Sequence, residues 1–400
     1  MTSYRVAATV AAAIVAALLG WAGVARAGGP LAIQDDGTPY LWSTATPIAY
    51  RTDQGPLSAA VNETQARARV ISAFSVWQDV PTSSIRYERA GFINPTGAFT
   101  GGDVDTILEF DAVVASCEAG LQSPIIYDAD GSIFAALGFD QESIIGFAGP
   151  CAVNATEIVR GMAMMNGRFQ DGQGVDLPAA AFDAALIHEL GHFSGLDHSQ
   201  INLACLFGPC GSDLDGLPTM FPLLLDVAQG SLATDDIAWI SRLYPETAAA
   251  PTFTGTHGTI TGIVYFRDGE SHVQFANVVA RRVNEGGNED RRIVASVISG
   301  YKFRMFHGNP ITNPAPSMGS EHPGDIGLFE IPVPAGDYII EIESIWQQFT
   351  GGSSVGPGFI IPLTSSAPPA GPVHVAAGAT VSVDLVLNHS PPRFDSFETP

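Results

Sequence analysis

The stretch His188-Glu189-Leu190-Gly191-His192-Phe193-Ser194-Gly195-Leu196-Asp197-His198 constrains this chain more than any other, because its spacing is itself a coordination geometry. On a helix, His188 and His192 stand four residues apart, so both rings leave one face about a turn from each other and can share a metal ion. Gly195 tolerates the positive φ that ends a helix, and a chain reversed there can return His198 to the same ion. Three imidazoles suit zinc and leave a fourth position open, the arrangement of a reactive rather than a purely structural site. Three of the nine histidines fall in this stretch beside a glutamate and two glycines, which sets it apart from the bare histidine pair that recurs by chance in helices.

The open position dictates the chemistry. Zinc lowers the pKa of bound water from about 15.7 towards roughly 7 and polarises a carbonyl for attack. Glu189 is the expected general base, because it lies about 100° around the helix from His188 and can reach that water without occupying the metal. The pattern predicts a zinc hydrolase.

Two further stretches extend the reading. Pro218-Thr219-Met220-Phe221-Pro222 comes after the third histidine, and Leu232-Ala233-Thr234-Asp235-Asp236-Ile237-Ala238-Trp239-Ile240-Ser241-Arg242-Leu243-Tyr244 comes next. Together with the three-histidine motif they resemble the metzincin zinc peptidases in their matrixin form. Weaker matches lie at Ile48-Ala49-Tyr50, Ala73-Phe74-Ser75-Val76-Trp77 and Ile107-Leu108-Glu109-Phe110, so the resemblance covers roughly residues 45 to 245. It implies an α+β catalytic domain with a mixed twisted sheet, a long helix, a zinc helix and a closing helix. It further implies hydrolysis of internal peptide bonds, a methionine turn with Met220 packed beneath the metal, and an edge strand that receives extended substrate. The chain departs from the family in lacking a Pro-Arg-Cys-Gly cysteine switch and in carrying Phe221-Pro222 where relatives with a tyrosine ligand have His-Tyr.

Bulk properties fit an exported enzyme. Residues 1–27 combine Arg5, an alanine- and valine-rich run and Ala25-Arg26-Ala27, and read as a signal peptide; left uncleaved, the apolar run approaches the length of a membrane anchor. The net charge of −23 argues against nucleic acid, which requires a basic stripe, and the single lysine, Lys302, argues against Schiff-base chemistry. A protein or peptide substrate is the expected partner, and no feature names an oligomeric state. Four cysteines suit disulfides in an oxidising compartment, with Cys117 to Cys151 and Cys205 to Cys210 as the local pairing among three connectivities. Asp128 and Asp130, in Asp128-Ala129-Asp130-Gly131-Ser132, are candidate calcium ligands or a plain turn.

Coarse patterning predicts a helix over 58–79, strands near 85–87 and 106–110, a loop-rich insert between Cys117 and Cys151, a strand at 158–165 as the substrate-receiving edge, and the zinc helix at 180–193. A small, polar, proline-containing linker at 246–256 separates a catalytic unit, residues 28–250, from residues 251–390. The latter show short strand-like runs without helix and are expected to form an all-β sandwich, with 391–400 as a tail. Gly262-Ile263-Val264, Ala276-Asn277-Val278 and Pro334-Ala335-Gly336-Asp337-Tyr338 resemble the carboxypeptidase regulatory-like, prealbumin-like modules. The competing functional reading is a surface adhesion or binding protein that keeps the metzincin fold as a scaffold; intact Glu189 favours the peptidase.

Overall fold

A computed structural model describes residues 29–32, 34, 38–199, 216–273, 276–300, 325–343 and 371–390. The leader at 1–27, Cys205, Cys210 and the tail at 391–400 lie outside the described residues. No helix among the described residues is long and apolar enough to cross a membrane.

The described chain is α+β. Its N-terminal sheet holds β1 (Leu41–Trp42), β2 (Ile48–Thr52), β3 (Tyr87–Phe92), β4 (Pro124–Asp128), β5 (Gly146–Val153) and β6 (Glu157–Asn166). The order is β1-β6-β4-β2-β3, with β5 added to β6. All pairs are parallel except β5 with β6. The two-residue period of the strands divides the core. Ile125, Tyr127, Ala163 and Met165 face one layer, whereas Ile126, Met162 and Met164 face the other.

Helix α1 (Glu63–Gln78) starts at Asn62, whose side chain accepts Gln65 N–H while the Gln65 side chain accepts Asn62 N–H. This capping box sets the start later than residue 58. Its buried stripe, Ala66, Val70, Ala73, Phe74 and Trp77, packs on the same face of the sheet as α4 (Ala179–Phe193), and Trp77 donates its Nε1–H to Ile187 O at 2.8 Å.

Helix α2 (Ile107–Glu118) replaces the strand expected at 106–110. Thr106 is the N-cap: its Oγ1 accepts Glu109 N–H and its hydroxyl donates to Glu109 Oε2. Phe110, Val113, Val114 and Cys117 then recur on one buried face, a period that a five-residue window conceals.

The segment between Cys117 and Cys151 is likewise more regular than expected, since it contains β4, the short α3 (Ser132–Ala136) and β5. The disulfide Cys117–Cys151 closes it, joining α2 to β5. Strand β6 is covered on both sides, by β5 along one edge and by β1 and β4 along the other. The stretch 158–165 is therefore interior, and the free edge on this side belongs, among the described residues, to β5. Its sequence, Gly-Phe-Ala-Gly-Pro-Cys-Ala-Val, is rich in residues that β-propensity disfavours, which is why it reads as a loop.

Helix α5 (Thr234–Leu243) and the short α6 (Phe253–Thr256) lead into eight strands: β7 (His257–Tyr265), β8 (Asn277–Val283), β9 (Glu289–Ile298), β10 (Leu328–Pro334), β11 (Gly336–Glu343), β12 (Val373–Val375), β13 (Thr380–Ser382) and β14 (Leu385–Val386). They form two four-stranded sheets, β10-β7-β13 with β14 on β7, and β12-β11-β8-β9. Alternate burial along β7 points Ile260 and Val264 inward, where they join Val278, Ala280, Phe329, Ile331 and Ile340 in the core. That core is continuous with the one beneath α4 through Trp239, Ile240 and Leu243 of α5. Residues on either side of the 246–256 linker thus share apolar packing.

Candidate metal centre

Helix α4 carries His188 and His192 on one face, as their spacing requires, and ends at Ser194. Gly195 comes next at φ +88°, a left-handed conformation that an L side chain would strain. Gly195 N–H returns to His192 O at 2.9 Å and Leu196 N–H to Gly191 O at 3.0 Å, closing the helix. The reversed chain then pairs with the N-terminal segment, Leu31 N–H to Gly195 O at 2.7 Å and Asp197 N–H to Gly29 O at 3.0 Å, and delivers His198 to the other two rings.

The three Nε2 atoms converge. His198 Nε2 lies 3.1 Å from His188 Nε2 and 3.0 Å from His192 Nε2, and one ligand atom from each residue lies within 4.8 Å of the others. Two zinc–nitrogen bonds at tetrahedral angle span about 3.3 Å, so the cluster has the size of a zinc site. Tautomers agree as well. A carbonyl can only accept, so His188 Nδ1–H donates to Thr219 O at 2.7 Å and His192 Nδ1–H to Leu196 O at 2.9 Å, leaving both Nε2 lone pairs for a ligand. Burial lowers the pKa of His188 to about 4 and of His192 to about 3, and holds His198 well below its ordinary value. All three are neutral at physiological pH, as metal ligation needs. Among the described residues no other group of three histidine, cysteine or carboxylate side chains comes together to hold a metal.

Glu189 is buried beside this cluster, and burial pushes its carboxyl up to about 8. A dication nearby would favour the ionised form and oppose that shift. The first residue of β5 abuts it: a Cβ built on Gly146 would fall 3.0 Å from Glu189 Cγ. The free sheet edge therefore begins at the candidate base.

Met220 lies under α4, buried, with its N–H held by Asp236 Oδ1 at 3.0 Å; Asp236 Oδ2 accepts the N–H groups of Thr219 and Ala233, each at 2.8 Å. Because Thr219 O in turn orients His188, the first turn of α5 supports a ligand. Gln229 braces the segment beyond the methionine, accepting Leu225 N–H at 2.7 Å and donating to Leu223 O at 2.9 Å. Gly191 is a further residue of the site, one whose role the motif spacing does not reveal. A Cβ there would sit 2.2 Å from Met220 Sδ and 2.8 Å from the Trp77 ring, so the methionine and the tryptophan occupy the space this glycine leaves. The signal was its place between the two helical ligands.

Asp128 and Asp130, the candidate calcium ligands, stand just before and at the turn into α3. Asp128 is buried and its Oδ2 accepts Phe134 N–H at 2.8 Å, while Asp130 Oδ1 accepts Ser132 N–H at 2.9 Å. Each carboxylate accepts a backbone N–H around the start of α3, the role of an aspartate in a turn.

No protein-family model matches the chain, and no curated protein matches it at a significant level. Among the solved structures similar to limited stretches of the chain are the following two. One is BcpA, the major pilin subunit of Bacillus cereus, at 14% identity and TM-score 0.16, covering 34% of this chain and 31% of the pilin. The other is the major plantain pollen allergen Pla l 1, at 10% identity and TM-score 0.17, covering 34% of this chain and 98% of the allergen. At such scores neither carries an argument about fold or function.

Proposed function

We propose that the chain is an exported, zinc-dependent endopeptidase with a matrixin-like catalytic unit and a prealbumin-like β-sandwich behind it. The observation that carries this reading is the convergence of three Nε2 atoms, two with tautomers fixed by carbonyls, beside buried Glu189 at the start of a free antiparallel sheet edge. His188, His192 and His198 would hold zinc, which supplies a Lewis acid and acidifies water when bound.

The chain's own residues do the rest. Glu189 takes the proton of the attacking water and passes it to the leaving amine. Strand β5 offers unpaired main-chain groups to an extended peptide, fixing its direction by β-augmentation. The partly exposed Pro222-Leu223-Leu224-Leu225 stretch after Met220 would line the pocket for the residue just after the scissile bond. The Cys117–Cys151 disulfide accords with export.

The test is casein cleavage that a chelator abolishes and zinc restores, together with Glu189→Ala. That variant should keep its zinc while kcat falls by about 10² to 10⁴-fold. Near-normal turnover in the zinc-loaded variant would refute the mechanism.

A further inference from the structure

Asp235 and Asp236 open α5, and their carboxylates diverge. Asp236 holds the turn that carries Thr219 and Met220. Asp235 serves the opposite side: its Oδ1 accepts Ser296 N–H at 2.8 Å, and Ser199, whose hydroxyl lies 3.5 Å from the Ser296 hydroxyl, favours the ionised form of its carboxylate. Ser199 directly succeeds His198, and its own N–H bonds Met220 O at 2.8 Å. One helical turn beyond Asp235, Trp239 donates its Nε1–H to Ser296 O at 2.9 Å. Ser199, Ser296, Asp235 and Trp239 are all buried.

The position of Ser296 gives these bonds their meaning. It lies in β9, the terminal strand of the sheet β12-β11-β8-β9, where one edge has no strand partner among the described elements. Its N–H and C=O are both taken by α5 side chains, so the edge of the C-terminal sheet is finished by the helix that closes the catalytic unit. Thr234 Oγ1 repeats the pattern, donating to Arg292 O at 3.0 Å. An accessory domain tethered by a linker alone would leave these groups to water. Here its removal would strip Asp235 of a donor and leave the buried Trp239 N–H without Ser296 O.

We infer that the C-terminal two-sheet unit is a structural part of the metal centre: Ser296 holds Asp235 through its N–H and meets the Ser199 hydroxyl with its own, the Asp235 carboxylate acts on Ser199, and Ser199 holds the segment that presents His198. Asp235 is thus a positioning residue, acting on the site through Ser199. The inference rests on the three histidines being a metal site, and the test separates the two.

The measurement is zinc affinity of the full-length chain by competition with a chromophoric chelator, with the visible spectrum of the cobalt-substituted protein as a report on coordination. Asp235→Ala should weaken zinc binding about tenfold and alter the cobalt bands, because it frees both Ser199 and the Ser296 main chain beside the segment that presents His198. Asp235→Asn should recover to within about threefold, because its amide oxygen still accepts Ser296 N–H and its NH₂ can donate to Ser199 Oγ. Ser199→Ala, which removes one hydroxyl, should weaken binding about threefold to tenfold with little change in melting temperature, and it decides the matter should Asp235→Ala fail to fold. Wild-type zinc affinity and cobalt spectra in Ser199→Ala, or in folded Asp235→Ala, would overturn the inference. Failure of the unmodified chain to bind zinc would instead overturn the metal-site reading.

Discussion

Replacing Gly191 by alanine tests the metal centre through its packing. The added Cβ would meet Met220 Sδ at 2.2 Å and Trp77 Cζ2 at 2.8 Å, against ordinary contacts of about 3.5–4.0 Å. Relief requires movement of more than about 1 Å, and neither neighbour yields easily. The Met220 main chain is tied by Asp236 and Ser199 and its thioether is buried in the core, while Trp77 is held by its bond to Ile187 O. Overpacking of this kind costs about 1–3 kcal/mol, here towards the upper end, while alanine regains about 1 kcal/mol of helix propensity. The expected net loss is about 1–2 kcal/mol, a fall in melting temperature of roughly 2–8 °C. Because Gly191 lies between two of the proposed zinc ligands, zinc affinity should also drop about tenfold. Calorimetry and chelator competition measure both. In the Met220→Ala background the sulfur overlap disappears, so the Gly191→Ala penalty should shrink by about 1 kcal/mol. An unchanged melting temperature and zinc affinity in Gly191→Ala, or strictly additive effects in the double variant, would refute this account of Gly191.

A buried carboxyl and an apolar wall supply two more tests. Asp53 is fully buried and its carboxyl is pushed up to about 7, the burial outweighing three backbone N–H bonds from Gly55, Tyr127 and Val104. A raised carboxyl pKa means the folded state binds the extra proton, so its contribution is complete below the unfolded value and lost as pH rises through about 7. Denaturant titrations between pH 5.5 and 8 should show Asp53→Asn losing about 2 kcal/mol less than the parent over that window, and equal slopes would count against the assignment. On specificity, Leu223, Leu224 and half-exposed Leu225 would form the apolar wall of the proposed pocket, where burying a leucine-sized side chain gains roughly 1.5–3 kcal/mol. Peptide-library profiling should therefore find Leu, Ile, Met or Phe just after the scissile bond; dominance of Asp, Glu, Lys or Arg there would reject the pocket.

The sequence by itself determined the three histidines and their convergence, because a four-residue spacing on a helix and one left-handed glycine specify geometry within a few ångströms of chain. It also determined the strand-rich character of residues 257–298 and 328–343, where alternation is regular and turn residues intervene. Thr106–Phe110 misled because a five-residue apolar run fits either period, and only the twelve-residue helix Ile107–Glu118 resolves it.

What the tertiary structure alone decided are relations between distant segments. The free edge is β5 rather than the stretch 158–165, since sheet order depends on which strands find each other and leaves no local mark on a glycine- and proline-containing strand. Gly191 acquires its role only when Met220 and Trp77 arrive against it from opposite directions in the chain. Asp235 and Asp236 look equivalent in sequence, yet helical rotation sends one to the methionine turn and the other to Ser296 of the C-terminal sheet. Adjacent helical residues diverge by about 100°, so the partner of each is set by what the fold packs on that side.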